Sequence, residues 1–184
     1  MNRRTLLLTA IAIPTAAISA FAQEQVSGPE MAKRMRELFF AITPEQGDLK
    51  PNSLAPTVMG VSVDWPMKQA MATIVAYTDG TASLYTTTDI AIMGGYAAAA
   101  QAKALVLQAE RSLPFSHVVT EHPYPSQDSA RFYIRTYTEL RVIEEQLSVA
   151  MARKSKHDAL FAAANDIMTA LFAAADKAKD AKKN

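Results

Sequence analysis

The sequence predicts a single α+β domain, with a mainly antiparallel sheet of about five strands packed by three helices in the order α-β-β-β-α-β-β-α. Three observations carry that prediction. The apolar period changes from about 3.6 residues to 2 in the middle of the chain and returns to the helical value at the end. An Asp79-Gly80 pair separates two β-rich runs, the strongest short-range hairpin signal. Single helical stretches stand between runs of strands, which favours a mixed antiparallel sheet over a doubly wound parallel one.

The chain opens with an export signal. Asn2, Arg3 and Arg4 supply a positive start, residues 5–19 are almost uninterruptedly apolar, and Ala20-Phe21-Ala22 carries small residues at the positions a signal peptidase reads. The apolar run is shorter than the roughly 20 residues a membrane span needs, and Pro14 interrupts it; a membrane anchor is therefore the weaker reading. Cleavage after Ala22 makes the body periplasmic or secreted. The paired arginines resemble a twin-arginine signal but also suit the general export route, and both remain open.

Residues 23–56 read as a helix and a polar connection. Ser27-Gly28-Pro29-Glu30 has the capping serine, first-turn proline and early acid of a helix start. Met31, Met35, Leu38, Phe39 and Ile42 recur at helical spacing and predict its inward stripe, and the helix should stop before Pro44. The core spans residues 57–175. Strands are predicted at 58–65, 70–78, 81–87, 131–137 and 140–144, the last two joined by a tight turn at Thr138-Glu139. Gly94-Gly95 opens an alanine-rich helix over 96–112, with Leu105, Val106 and Ala109 inward. Residues 146–154 read equally as loop or helix. Ser155 and Asp158 form a capping box before the stripe Leu160, Phe161, Ala164, Ile167, Met168, Leu171 and Phe172. Residues 173–184 are expected to fray, 176–184 forming a basic tail.

Composition narrows the function classes. Of the 184 residues, 49% are hydrophobic and 20% charged, which is globular. There is no cysteine, which removes disulfides, thiol chemistry and lipidation of a cysteine together. The formal net charge is +1, including the two signal arginines. Such a balance argues against nucleic acid, which requires a basic face, and no membrane partner is expected after signal cleavage.

The run 72–76, the hairpin Asp79-Gly80-Thr81-Ala82-Ser83-Leu84-Tyr85, Ile92-Met93-Gly94-Gly95, the run 131–137 and Leu160-Phe161-Ala162-Ala163-Ala164 resemble a family of uncharacterised bacterial exported proteins with a D-G-T-x-S-L-Y hairpin. The resemblance covers most of residues 60–172 and implies a shared fold without an activity. Where family members carry a longer glycine-rich stretch, this chain has Thr87-Thr88-Asp89-Ile90-Ala91, which weakens that segment as a ligand loop. The element order is also similar to roadblock and profilin-like domains, which implies binding of proteins or small ligands.

Each chemical candidate has a plainer reading beside it. His117 and His122 lie in a proline-rich loop without the spacing of a zinc helix, and read as an exposed pair with no metal. Gly94-Gly95 before a helix presents backbone N–H groups suited to an anion, but lacks phosphate-loop spacing and reads as a strand-to-helix turn. No serine or threonine stands in a nucleophile motif. Glu144 and Glu145 are neighbours on a strand and face opposite sides. The nine methionines are scattered, and core packing explains them better than copper. Asp64, beside Trp65-Pro66 at a strand end, is the most interesting acid.

The expectation is a non-catalytic protein-interaction domain that uses a sheet face or edge, with a protein partner or a second copy of itself. The alternative is a small-ligand or anion binder with its pocket near Asp64, Trp65, Tyr85, Gly94 and Gly95. A hydrolase ranks last, with no catalytic residue to name and no cofactor implied.

Overall fold

The computed structural model describes residues 28–46, 57–88 and 90–181. Residues 1–27, most of the connection after the first helix, Asp89 and the last three residues lie outside them, and the expected export signal and the Ser27 cap fall there. Along the described chain run α1 (Gly28–Ala41), β1 (Val58–Met67), β2 (Ala70–Tyr77), β3 (Ala82–Thr86), β4 (Ala91–Gly95) and α2 (Ala99–Ser112). A 3-10 turn at Leu113–Phe115 leads to β5 (His117–Val118), β6 (Ser129–Thr136), β7 (Leu140–Gln146), α3 (Leu147–Met151) and α4 (Asp158–Ala181). The strands form one seven-stranded sheet in the order β4-β3-β2-β1-β6-β7-β5, with every pair antiparallel.

The α+β class and the antiparallel sheet are as expected, but among the described residues the sheet has seven strands rather than about five, and there are four helices rather than three. Both extra strands are the outer ones, β4 and β5. An outer strand is half-exposed and short, so it carries little of the burial pattern that marks inner strands. Ala91-Ile92-Met93-Gly94-Gly95 shows no apolar/polar alternation and ends in two glycines, which at sequence level look like a helix opening. Instead β4 ends there, and the helix begins at Ala99 after a turn in which Ala97 N–H donates to the Gly94 carbonyl at 2.8 Å. At the other end α4 stays helical through Ala181, beyond the point expected to fray.

The Asp-Gly hairpin forms, with a different turn from the one its two residues suggest. Gly80 N–H donates to the Tyr77 carbonyl, and Tyr77 N–H to the Thr81 carbonyl, each at 3.0 Å. Only Gly80 has positive φ, at 98°. This is a type I turn closed by a left-handed glycine, the three-residue solution to a hairpin. Asp79 caps it, accepting from the Thr81 N–H and hydroxyl at 2.8 Å each.

The sheet has two differently built faces. On one, Val61, Val63, Ile74, Leu84, Phe132, Ile134 and Ile143 meet Leu105, Val106 and Ala109 of α2 and Leu160, Phe161, Ala164, Ile167 and Leu171 of α4. The predicted stripes of these two helices are the ones used, and each fully buried aliphatic or aromatic side chain contributes about 1.5–3 kcal/mol. Ser155 and Asp158 cap α4 as expected: Asp158 accepts from Ser155 N–H at 3.2 Å, and the Ser155 hydroxyl accepts from His157 N–H at 2.9 Å. The other face carries a smaller cluster of Phe39, Phe40, Val75, Tyr133, Leu140 and Val142, and α1 lies on it. Here the inward stripe is Ala32, Arg36, Phe39 and Phe40; of the expected stripe Phe39 is buried, Met31, Met35 and Ile42 are half-buried and Leu38 is turned outward, so the helix is rotated part of the way from the expected face. Leu38 is 47% exposed. A charged residue at the centre of the buried stripe decides that rotation.

Candidate functional site

Strand register builds a polar row across the second face. Asp64 on β1 stands opposite Thr73 on β2 and Arg131 on β6, and Thr73 stands opposite Tyr85 on β3. Asp64 is 0% exposed, and a buried carboxylate demands a partner. α1 supplies it. Arg36 Nε lies 3.3 and 3.0 Å from the two Asp64 oxygens, and its Nη2 lies 2.8 Å from Oδ2. Thr73 donates its hydroxyl to Oδ1 at 2.8 Å.

The guanidinium is enclosed as completely as the carboxylate. Arg36 also donates to the His122 carbonyl. Its Cζ lies 4.2 Å from the Tyr124 ring centre, 4.8 Å from Phe40 and 5.4 Å from Tyr133. Each ring adds about 0.5–2 kcal/mol of cation–π attraction, the upper value applying where water is excluded. Burial pushes the Asp64 carboxyl above its ordinary value, opposed by Arg36 and then by the Thr73 hydroxyl. Burial likewise raises Tyr124 and Tyr133. It lowers His122, helped by Arg36 and opposed by Glu37 and Asp64.

A strap over residues 119–125 closes this centre. The His122 ring sits 3.8 Å from the Phe40 ring centre, with Nε2 3.6 Å from the Glu37 carboxylate. Arg131 donates to the Pro123 carbonyl at 2.8 Å, Tyr133 donates to the same carbonyl, and Arg131 Nε reaches Glu144 at 3.1 Å. Two open clefts flank the strap. One of about 470 Å³ is bordered by Lys33, Glu37, Glu121 and Tyr124 and reaches the edge of Arg36, which is 4% exposed; one of about 420 Å³ is bordered by His117, Arg131 and Glu144. Both mix charges of either sign, and neither exposes the Asp64 oxygens. The arrangement fastens α1 to the sheet and leaves Asp64 no free lone pair aimed at a substrate. Among the described residues no three histidine, aspartate or glutamate side chains converge to hold a metal ion.

The five residues singled out from the sequence divide between the two faces. Asp64 and Tyr85 share the second face and are both buried. Trp65 points the other way, onto Phe161, ring centres 5.5 Å apart. A side chain at Gly94 would point at Leu171 of α4, 2.2 Å from its Cδ2, while Gly95 has φ of 49° and open space around it. They therefore do not line one pocket. Arg36, Thr73 and Tyr124 complete the Asp64 centre, and only Arg36 left a trace in the sequence: a charge within an apolar stripe, four residues after Ala32 and three before Phe39.

The sheet edges differ sharply. β5 has two residues, between Pro114 and Pro123, and leaves little ladder to extend. β4 has five residues with no charge and no proline. The Thr86 N–H donates to the Ile90 carbonyl at 2.8 Å, and alternation along the ladder turns the Ala91 and Met93 peptide groups to the open side. Gly94 is an extra residue between the Met93–Ser83 and Gly95–Ala82 pairs, a bulge that ends the strand. Beside this edge stand Ile90, Met93 and Tyr96, 41%, 64% and 58% exposed. No family model, no curated protein and no solved structure matches the chain.

Proposed function

We propose that this is an exported, non-catalytic protein-interaction domain that pairs an extended segment, from another protein or a second copy of itself, with β4. The observation that carries the reading is the uncharged five-residue edge strand with Met93 exposed beside outward-pointing peptide groups. A strand edge offers backbone hydrogen bonds as affinity and side-chain neighbours as selectivity. The likeness in element order to roadblock and profilin-like domains supports the same reading. The closure of the Asp64 centre favours it over a small-ligand pocket there.

Met93→Pro tests it. Proline removes an N–H that the fold does not use and is tolerated on an outer strand. The variant should unfold at nearly the wild-type urea concentration while losing partner capture from a periplasmic extract and any self-association seen by light scattering. Capture and mass unchanged by Met93→Pro, or no association of either kind by the wild type, would refute the reading.

A further inference from the structure

Residues 151–157 read Met-Ala-Arg-Lys-Ser-Lys-His, with three permanent cations, and the two carboxylates held against the segment, Glu145 and Asp158, are both engaged by Ser155. The near-neutral total of the chain conceals this local excess. Arg153, Lys154 and Lys156 are all exposed, and none makes an ion pair among the described residues. Met151 beside them is 81% exposed, the most exposed of the large apolar side chains. Phe115 is 55% exposed, with Lys156 Nζ 5.0 Å from its ring centre.

Hydrogen bonds at both ends set the posture of this loop. At the end of α3, Arg153 N–H donates to the Ala150 carbonyl at 3.0 Å, and Lys154 N–H to the Val149 carbonyl at 3.2 Å. That is the paired closure usually built around glycine, yet Arg153 occupies the left-handed position with φ of 52°. Beyond it the buried Ser155 hydroxyl donates to Glu145 at 2.9 Å and accepts from His157 N–H. Both ends are pinned, and the cationic segment between them projects.

We propose that this loop, together with Phe115, docks the domain on an anionic lipid surface. Exposed cations close in sequence to an exposed Met151, with Lys156 against an exposed Phe115, match a bilayer interface: the cations meet headgroup phosphates, and Met151 and Phe115 enter the acyl boundary. Nucleic acid is the poorer match, because a phosphate ladder calls for a longer basic track. The site is separate from β4. α4 starts beside this loop and crosses the sheet until Leu171 lies against Gly94 of β4, so a docked domain keeps its open edge turned to other proteins.

Co-sedimentation of the purified full chain with phosphatidylcholine vesicles, with and without phosphatidylglycerol, tests the proposal. Every variant keeps the same N-terminal segment, whose apolar run and Arg3 and Arg4 give a background common to all variants, and the effects below are read above that background. Binding should require phosphatidylglycerol and weaken with salt. Each cation is expected to multiply partitioning by about fivefold. The double charge reversal Lys154→Glu/Lys156→Glu alters exposed side chains and keeps the backbone closure at Lys154, so it should abolish measurable binding above the background while shifting the melting temperature by less than about 2 °C. Met151→Gln, which removes the apolar side chain at constant charge, should lower binding and keep its salt dependence. Arg153→Gly separates charge from folding: it removes backbone strain, so the protein should melt at a higher temperature yet bind about fivefold less. Equal binding to uncharged vesicles, binding undiminished by charge reversal, or tighter binding to duplex DNA or an acidic polypeptide than to the vesicles would overturn the proposal.

Discussion

Replacing Arg36 by methionine opens the Asp64 clamp, because methionine keeps an unbranched apolar stem and deletes the guanidinium that pairs with Asp64, donates to the His122 carbonyl and faces Phe40 and Tyr124. The carboxylate it leaves behind is 0% exposed and retains one donor, the Thr73 hydroxyl. Breaking a buried pair by removing one partner costs about 3–5 kcal/mol, a large share of the roughly 5–15 kcal/mol that hold a domain together. At about 2–4 °C per kcal/mol for a chain of this size, the melting temperature should drop by about 6–20 °C. The pH dependence should change as well. Burial already raises the Asp64 pKa, and Arg36 is the largest influence opposing that rise. Without Arg36 the folded value climbs further above the unfolded 3.8. A group with a raised folded pKa loses its contribution as pH rises through that value. The deficit of Arg36→Met relative to wild type should therefore be smallest in acid and largest at neutral pH. Urea unfolding of the wild type, Arg36→Met, Asp64→Asn and the double variant measures the coupling. The double variant should recover much of the loss, since no buried charge remains. A loss below about 1 kcal/mol, or single effects that simply add, would refute the clamp.

Two further outcomes follow from the geometry. Gly94→Ala places a methyl group 2.2 Å from Leu171 Cδ2 and 3.0 Å from the Ala82 carbonyl oxygen, so it should destabilise by about 1–3 kcal/mol in urea unfolding; Gly95→Asn, with φ of 49° and open space, should be close to neutral. His157 is 4% exposed with an unpartnered Nδ1, and its pKa is lowered by burial and by Lys156 against Glu145. A lowered folded pKa means that the unfolded chain takes up protons first, so stability is complete above the ordinary 6.5 and is lost as pH falls below it. His122 acts in the same direction, and His157→Gln should make the fall in urea midpoint shallower without abolishing it.

Much of the fold was legible because inner strands and core helices write their burial into the order of residues. The alternation at Val61 and Val63, the turn residues Asp79 and Gly80, and the stripe from Leu160 to Leu171 each answer to a local periodicity. β4 and β5 escaped because an outer strand buries little. The rotation of α1 escaped because Phe39 belongs to both faces and the helical spacing of Met31, Met35, Leu38 and Ile42 is as regular as that of Ala32, Arg36 and Phe40, and only a partner acid on the sheet distinguishes the two.

The division among the candidate residues has the same origin. By itself the sequence determined the α+β class, the hairpin, the helix cap and the absence of thiol chemistry, all of which depend on neighbours within a few positions or on composition. That Asp64 meets Arg36 across 28 positions of chain, that Trp65 turns away from it, and that Gly94 belongs to a strand beside α4 were decided only by tertiary structure. Strand register and the seating of a helix on a sheet are long-range choices, made by burying charge against charge and shape against shape.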